Sequence, residues 1–166
     1  MEFIKNCIPN LTCYPNLLIK NLNTVPIILF LLSNLAYLPS VIKSNTYELY
    51  ILLVVFIVST VYHIMQVIYR SNDTKKAGHI CASCMYMDMI VATIGAIIIF
   101  GKYYKNINST IIILVIISGI IFASHFTKKF GHGYWYLYLH TIWHLLTGLI
   151  AYLLISDNDQ KNIKKK

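Results

Sequence analysis

Three of the six histidines in this 166-residue chain lie inside apolar runs, where an ionisable side chain is costly and usually functional. His140 and His144, in the segment His-Thr-Ile-Trp-His, are four residues apart and would share one face of a helix. That spacing lets two imidazole nitrogens bind one metal ion, as in zinc hydrolases. His63 is the third of these histidines, and we predict that all three are metal ligands.

Two further polar residues extend this pattern. Asp88 is the only one of the six acidic residues well inside an apolar run, and Ser59 precedes His63 by four residues on the same helix face. Three imidazoles with one open position form a catalytic zinc pattern, in which the pKa of a water ligand falls toward about 7 and a carbonyl is polarised. Asp88 could take that water's proton and pass it to the leaving group. Ser59 could hydrogen-bond the water or the developing oxyanion.

Each of these residues also has a structural interpretation. A histidine within a membrane, such as His63, can hydrogen-bond across helices, and a small hydroxyl such as Ser59 is common at membrane helix contacts. Asp88 could be the structural partner of a histidine or of Asn34. The paired spacing of His140 and His144 favours metal binding over a structural role.

The chain has four cysteines, and two of them could belong to a second metal site. His79, Cys81 and Cys84 have the spacing of a metal half-site, but no second half follows in any soluble region. A disulfide or plain free thiols are therefore the favoured interpretation of these cysteines.

The elements that must position these residues are membrane spans. The chain is 57% hydrophobic and only 12% charged, with a mean hydropathy of +0.63, whereas soluble domains have about 25% charged residues. A helix needs about 20 mostly apolar residues to cross a bilayer. We predict an all-α, polytopic transmembrane helix bundle over residues 24–155. A polar N-terminal segment, 1–23, precedes it, and a basic C-terminal tail, 156–166, which we expect to be disordered, follows it. Five runs qualify as spans: 24–42, 47–69, 83–100, 110–126 and 134–155.

The five polar residues agree in depth within this arrangement. Adjacent helices of a bundle with short linkers alternate in direction, and each residue adds 1.5 Å along a helix. On the predicted bounds, Ser59, His63, Asp88, His140 and His144 all lie roughly 8–15 Å below the same membrane face. An amide or ester bond near a lipid headgroup would lie at this depth.

Taken as a set, Ser59-x-x-x-His63, Asp88 and His140-x-x-x-His144 resemble the CREST superfamily of seven-span membrane hydrolases. Residues 32–40, Tyr62-His63 and residues 139–146 are similar to the first, second and last spans of the branch that holds myomaker and the GPI-specific phospholipase A2. The resemblance implies that the three histidines bind zinc and that the family activity is hydrolysis of a lipid amide or ester. Because we count five spans, the chain would be a shortened version of the seven-span fold, lacking one hairpin.

These observations favour an integral membrane, zinc-dependent hydrolase acting on a ceramide-like lipid or on an acyl chain of a GPI or phospholipid. The alternative is a non-catalytic membrane protein, fusion-related as myomaker is or structural, with a structural zinc site. Membrane lipids are the expected partners, and a second copy of the chain could close the pocket. Nucleic acid is not expected, because the net charge of +8 lies in short linkers and the tail.

The basic tail also indicates how the chain lies in its membrane. Lys161 and the three lysines 164–166 lean toward a cytosolic C-terminus, because lysine-rich segments stay on the cytoplasmic side. With five spans the N-terminus is then exoplasmic, in an endomembrane or in the plasma membrane.

Overall fold

The computed structural model describes residues 15–20, 22–72, 74–127 and 133–163, and the described residues form helices and short connections without a strand. Four helical segments are long and apolar enough to cross a membrane, which confirms an all-α, multi-pass membrane bundle. These segments are Thr24–Lys43, Tyr47–Ile68, Lys75–Asn106 and Gly133–Ser156.

The first of these segments changes its helical type in the middle. Helix α1 covers Thr24–Leu32, a 3-10 helix covers Ser33–Tyr37, and α2 covers Leu38–Lys43. Pro39 explains this change of helical type. Its nitrogen has no hydrogen to donate, and its ring would clash with the carbonyl four residues earlier in a regular α-helix. The tighter 3-10 turn takes up this mismatch without ending the span.

The remaining helices are α3, Thr46–Ile68, α4, Lys75–Tyr103, α5, Ser109–Ser124, and α6, Gly133–Ile163. Helix α5 has 16 residues, fewer than the about 20 that a bilayer requires, although it was predicted as a full span at 110–126. The described residues therefore contain four helical segments long enough to span a bilayer and one shorter apolar helix.

Two helix ends differ from the apolar runs in the sequence. Helix α4 begins at Lys75 and not at 83, because the hydroxyl of Thr74 caps it by accepting a hydrogen bond from the Ala77 N–H at 3.3 Å. Helix α6 continues to Ile163, so most of the tail that we expected to be disordered is helical.

Two glycines allow close packing between helices. One lies between the first span and α6, and the other lies between α3 and α4. A Cβ atom added at Gly148 would lie 2.5 Å from the Ala36 carbonyl oxygen, so only glycine allows the 3-10 helix this close to α6. A Cβ added at Gly95 would lie 2.8 Å from a side-chain methyl group of Val55, so the missing side chain at Gly95 lets α3 and α4 pack closely.

Part of the N-terminal segment belongs to the bundle. Pro15–Ile19 forms a 3-10 helix whose Leu18 and Ile19 are buried against α1 and the start of α6. The side chain of Asn16 holds this helix in place by donating hydrogen bonds to the carbonyls of Tyr69 at 2.8 Å and Asn72 at 2.9 Å.

Candidate metal centre

The three predicted histidine ligands meet inside the bundle, and we call them the histidine centre. His63 comes from α3, and His140 and His144 come from successive turns of α6. The Nε2 atom of His63 lies 3.1 Å from Nε2 of His144 and 3.2 Å from Nε2 of His140. Within the described part of the chain, this is the only group of three metal-ligating side chains close enough to share an ion.

The separations from His63 to the other two histidines suit the ligands of a small tetrahedral metal ion. Zinc binds imidazole nitrogen at about 2.0–2.1 Å, and tetrahedral geometry then places two ligand nitrogens roughly 3.3 Å apart. The two separations from His63 Nε2, 3.1 and 3.2 Å, are close to that value, and all three ligand nitrogens lie within 4.8 Å of one another. Each neutral imidazole can present one nitrogen lone pair, so the three buried histidines can bind a cation.

Hydrogen bonding alone leaves these nitrogens poorly satisfied. A neutral imidazole has one N–H and one lone pair, and a proton shared with His63 Nε2 can serve only one of its two imidazole neighbours. The Nδ1 atom of His144 is buried and has no hydrogen-bond partner. A buried polar group without a partner costs about 1–3 kcal/mol of stability. The centre is therefore destabilising unless a ligand binds these nitrogens.

The centre also connects two helices that otherwise stay apart. Among the described residues, no Cα atom of α3 lies within 8 Å of a Cα atom of α6. The imidazole of His63 nevertheless reaches both histidines of α6, and the ring of Phe30 covers it edge-on with 4.4 Å between ring centroids.

Asp88 and Ser59 form a polar pair beside the histidine centre, not part of it. Both are buried, and the Ser59 hydroxyl lies near the Asp88 carboxyl group. Ser59 also lies 3.2 Å from Oδ1 of Asn34, whose amide nitrogen donates to the Thr60 hydroxyl at 3.3 Å. Asn34, the alternative structural partner predicted for Asp88, is therefore hydrogen-bonded to Ser59 and Thr60.

A cavity of about 430 Å³ runs along the bundle from this region. Near the histidine centre its wall contains Asp88 and His140, and toward the other end it contains Leu52, Ile99 and Leu154. No Cα atom of α4 lies within 8 Å of one of α5, both of which are described along their whole length. The cavity lies in this gap and is mostly apolar.

Sequence reasoning missed two residues at this site. His125, just after α5, is buried and lines the same cavity, with its ring centroid 5.1 Å from that of His140. Its Nδ1 lies 3.0 Å from the Phe122 carbonyl oxygen, and its Nε2 has no partner. Gln66, one turn after His63 on α3, contacts the Nδ1 atom of His63. The i,i+3 spacing of His63 and Gln66 was the only signal in the sequence that these side chains could be in contact.

The second group of candidate ligands does not come together. His79 is exposed, while the buried Cys81 points its thiol at the Met65 carbonyl oxygen, 3.5 Å away. Cys81 and Cys84 are free thiols, which is one of the two alternatives that the sequence left open. The other two cysteines, Cys7 and Cys13, lie outside the described residues.

Comparison with protein-family models, with curated proteins and with solved structures found no match to this chain. The resemblance to the CREST superfamily therefore stays a prediction that rests on the residues alone.

Proposed function

We propose that the chain is a zinc-dependent membrane hydrolase that cleaves an amide or ester bond of a lipid. The observation that carries the proposal is the meeting of three buried imidazoles beside a largely apolar cavity with a carboxyl group in its wall. Apolar walls suit acyl chains, and the few polar groups are concentrated at the end where the histidines lie.

The residues divide the chemistry between them. His63, His140 and His144 would hold zinc, which when bound supplies a Lewis acid and lowers the pKa of a water ligand toward about 7. Asp88 acts as the general base and then as the general acid. Ser59, buried near Asp88, would hydrogen-bond the attacking water or the developing oxyanion.

The proposed hydrolysis is balanced in atoms and protons. The oxygen of water bonds to the carbonyl carbon, while one water proton moves to a carboxylate oxygen of Asp88. The C–N or C–O bond then breaks, and the same proton passes from Asp88 to the departing nitrogen or oxygen. The products are a fatty acid and an amine or alcohol.

The test is fatty-acid release from a panel of ceramides, glycerophospholipids and GPI lipids by the purified full chain in lipid nanodiscs. We expect turnover of at least one class, lost on chelation and restored by zinc. Asp88→Asn should reduce it about 10²–10⁴-fold, the usual contribution of general acid–base catalysis. Glu48→Gln is the matched control, because it neutralises another buried carboxylate that lies away from the cavity. Turnover that does not depend on metal, or equal losses in the two variants, would contradict the proposal.

The cavity offers a second, independent variant. A side chain added at Gly119, on α5, meets nothing within 4 Å, and this residue lines the cavity. Gly119→Leu should therefore reduce lipid turnover by filling the cavity, while the zinc content of the protein stays unchanged. An undiminished turnover would mean that the lipid does not use this cavity.

One observation favours the non-catalytic alternative. The histidines connect α3 and α6, whose backbones do not approach closely, so a bound metal could serve only to hold these helices together. Such a protein, structural or fusion-related, would cleave no lipid. Its function would survive Asp88→Asn, and His144→Ala would unfold the bundle.

A further inference from the structure

We infer that Gln66, held by the N-terminal segment, fixes His63 in the tautomer that can bind a metal. Gln66 is fully buried, one turn beyond His63 on α3, and every polar atom of its amide has a partner. The inference rests on the metal site proposed above and adds a positioning residue to it.

The contacts decide which way the Gln66 amide points. One of its terminal atoms lies 2.7 Å from the Pro15 carbonyl oxygen, which can only accept a hydrogen bond. That atom must therefore be the nitrogen, and its second N–H points to the Tyr136 hydroxyl at 3.3 Å. The amide oxygen is left facing Nδ1 of His63, 3.4 Å away.

This orientation determines where His63 carries its proton. The amide oxygen of Gln66 is an acceptor, so Nδ1 of His63 must be the donor. A neutral imidazole has one proton, and Nε2 of His63 then presents a lone pair. It is this Nε2 that faces His140 and His144. Partners of this kind commonly fix the tautomer of metal-binding histidines.

Through these contacts the 3-10 helix Pro15–Ile19 helps to position the histidine centre. Asn16 clamps this 3-10 helix to the end of α3 through two carbonyls, and Leu18 and Ile19 bury it against the bundle. The Pro15 carbonyl is therefore held in a fixed place, and it orients Gln66, which in turn orients His63.

The experiment measures the zinc dissociation constant of the full chain in detergent by competition with a chromophoric chelator. Gln66→Met removes the amide at nearly constant volume and should weaken zinc binding about 10–100-fold. Asn106→Leu is the matched control, since it also removes a buried amide that donates to a carbonyl, that of Leu154. It should leave the zinc affinity unchanged. Asn16→Ala, which loosens the clamp but leaves Gln66 in place, should weaken binding less than Gln66→Met.

A second readout does not depend on the metal. Nitrogen-15 NMR of the zinc-free protein should show His63 protonated at Nδ1 in the parent and in Asn106→Leu, with a mixture of tautomers in Gln66→Met. An unchanged tautomer and unchanged zinc affinity in a folded Gln66→Met variant would overturn the inference and leave the proposed hydrolase intact. A parent that binds no zinc but shows the Gln66-dependent tautomer would support the positioning role and contradict the hydrolase.

Discussion

Two of the buried polar clusters among the described residues satisfy their polar atoms in different ways. Glu48, at the start of α3, has no exposed surface, and its Oε1 atom accepts hydrogen bonds from Lys102 and, at 2.8 Å, from the Tyr103 hydroxyl. This carboxylate pair of Glu48 and Lys102 contains both signs of charge. The histidine centre has no counterpart of that kind, because its three members are imidazoles that face one another.

The difference separates a cluster that holds the fold from one that needs a ligand. The carboxylate pair brings its own cation from the next helix, and the Lys102 side chain, 43% exposed, keeps contact with the surroundings. Each cluster has one buried atom without a partner, Oε2 of Glu48 and Nδ1 of His144. The histidine centre contains no charged pair, and its His63 nitrogen lies at the separation of zinc ligands from the other two imidazoles. We therefore expect metal-dependent behaviour from the histidine centre and simple structural behaviour from the carboxylate pair.

The largest expected effect is loss of metal from a variant of the histidine centre. The parent, purified in mild detergent, should contain about one zinc per chain by mass spectrometry. His144→Ala removes one of three ligands and should bring the zinc content close to zero. His79→Ala is the control, because His79 is an exposed histidine away from the centre and its loss should change nothing. A folded parent without zinc would remove the basis of this comparison.

The next prediction concerns the backbone contact that places α6 beside the first span. In Gly148→Ala the new methyl group would lie 2.5 Å from the Ala36 carbonyl oxygen, a backbone atom that cannot turn aside. Overpacking of this kind costs about 1–3 kcal/mol in the free energy of unfolding. Unfolding in mixed micelles by a denaturing detergent would measure it. Gly119→Ala is the matched control, because a methyl group there meets nothing within 4 Å.

Much of this organisation could be predicted from the sequence, because two of its signals are local. Apolar runs predicted the helices, and the i,i+4 spacing of His140 and His144 predicted a shared face, which α6 provides. The run at 110–126 predicted an apolar helix too, but a run does not say how long the helix will be, and α5 has 16 residues.

The features that were missed depend on contacts between distant parts of the chain. The role of Gln66 requires the Pro15 carbonyl, 51 residues away, and the segment that carries Pro15 was predicted only as polar and outside the bundle. The placement of His125 requires the turn after α5 to point into the bundle, next to His140. The start of α4 at Lys75 lies in a charged stretch that hydropathy does not identify as helix.

A smaller effect is expected when the carboxylate pair loses its cation. Lys102→Met leaves Glu48 buried without its charged partner, and breaking a fully buried pair costs about 3–5 kcal/mol. Because Lys102 is 43% exposed and solvent screens the interaction, we expect a loss of only about 1–2 kcal/mol in unfolding free energy. The zinc content should remain that of the parent. A loss of zinc in this variant would mean that the two clusters are coupled through α3 and α4.

The smallest effect, and the sharpest contrast, should come from removing both members of the carboxylate pair. In Glu48→Met with Lys102→Met no charge is left unpaired, and replacing a buried pair by apolar side chains of similar volume is often neutral or stabilising. The double variant should therefore be more stable than Lys102→Met alone and within about 1 kcal/mol of the parent. The Tyr103 hydroxyl loses its acceptor on Glu48, which limits the recovery. The same unfolding measurement in mixed micelles compares the three proteins. A double variant less stable than the single one would assign the carboxylate pair a role beyond holding α3 to α4, and the distinction between the two clusters would fail.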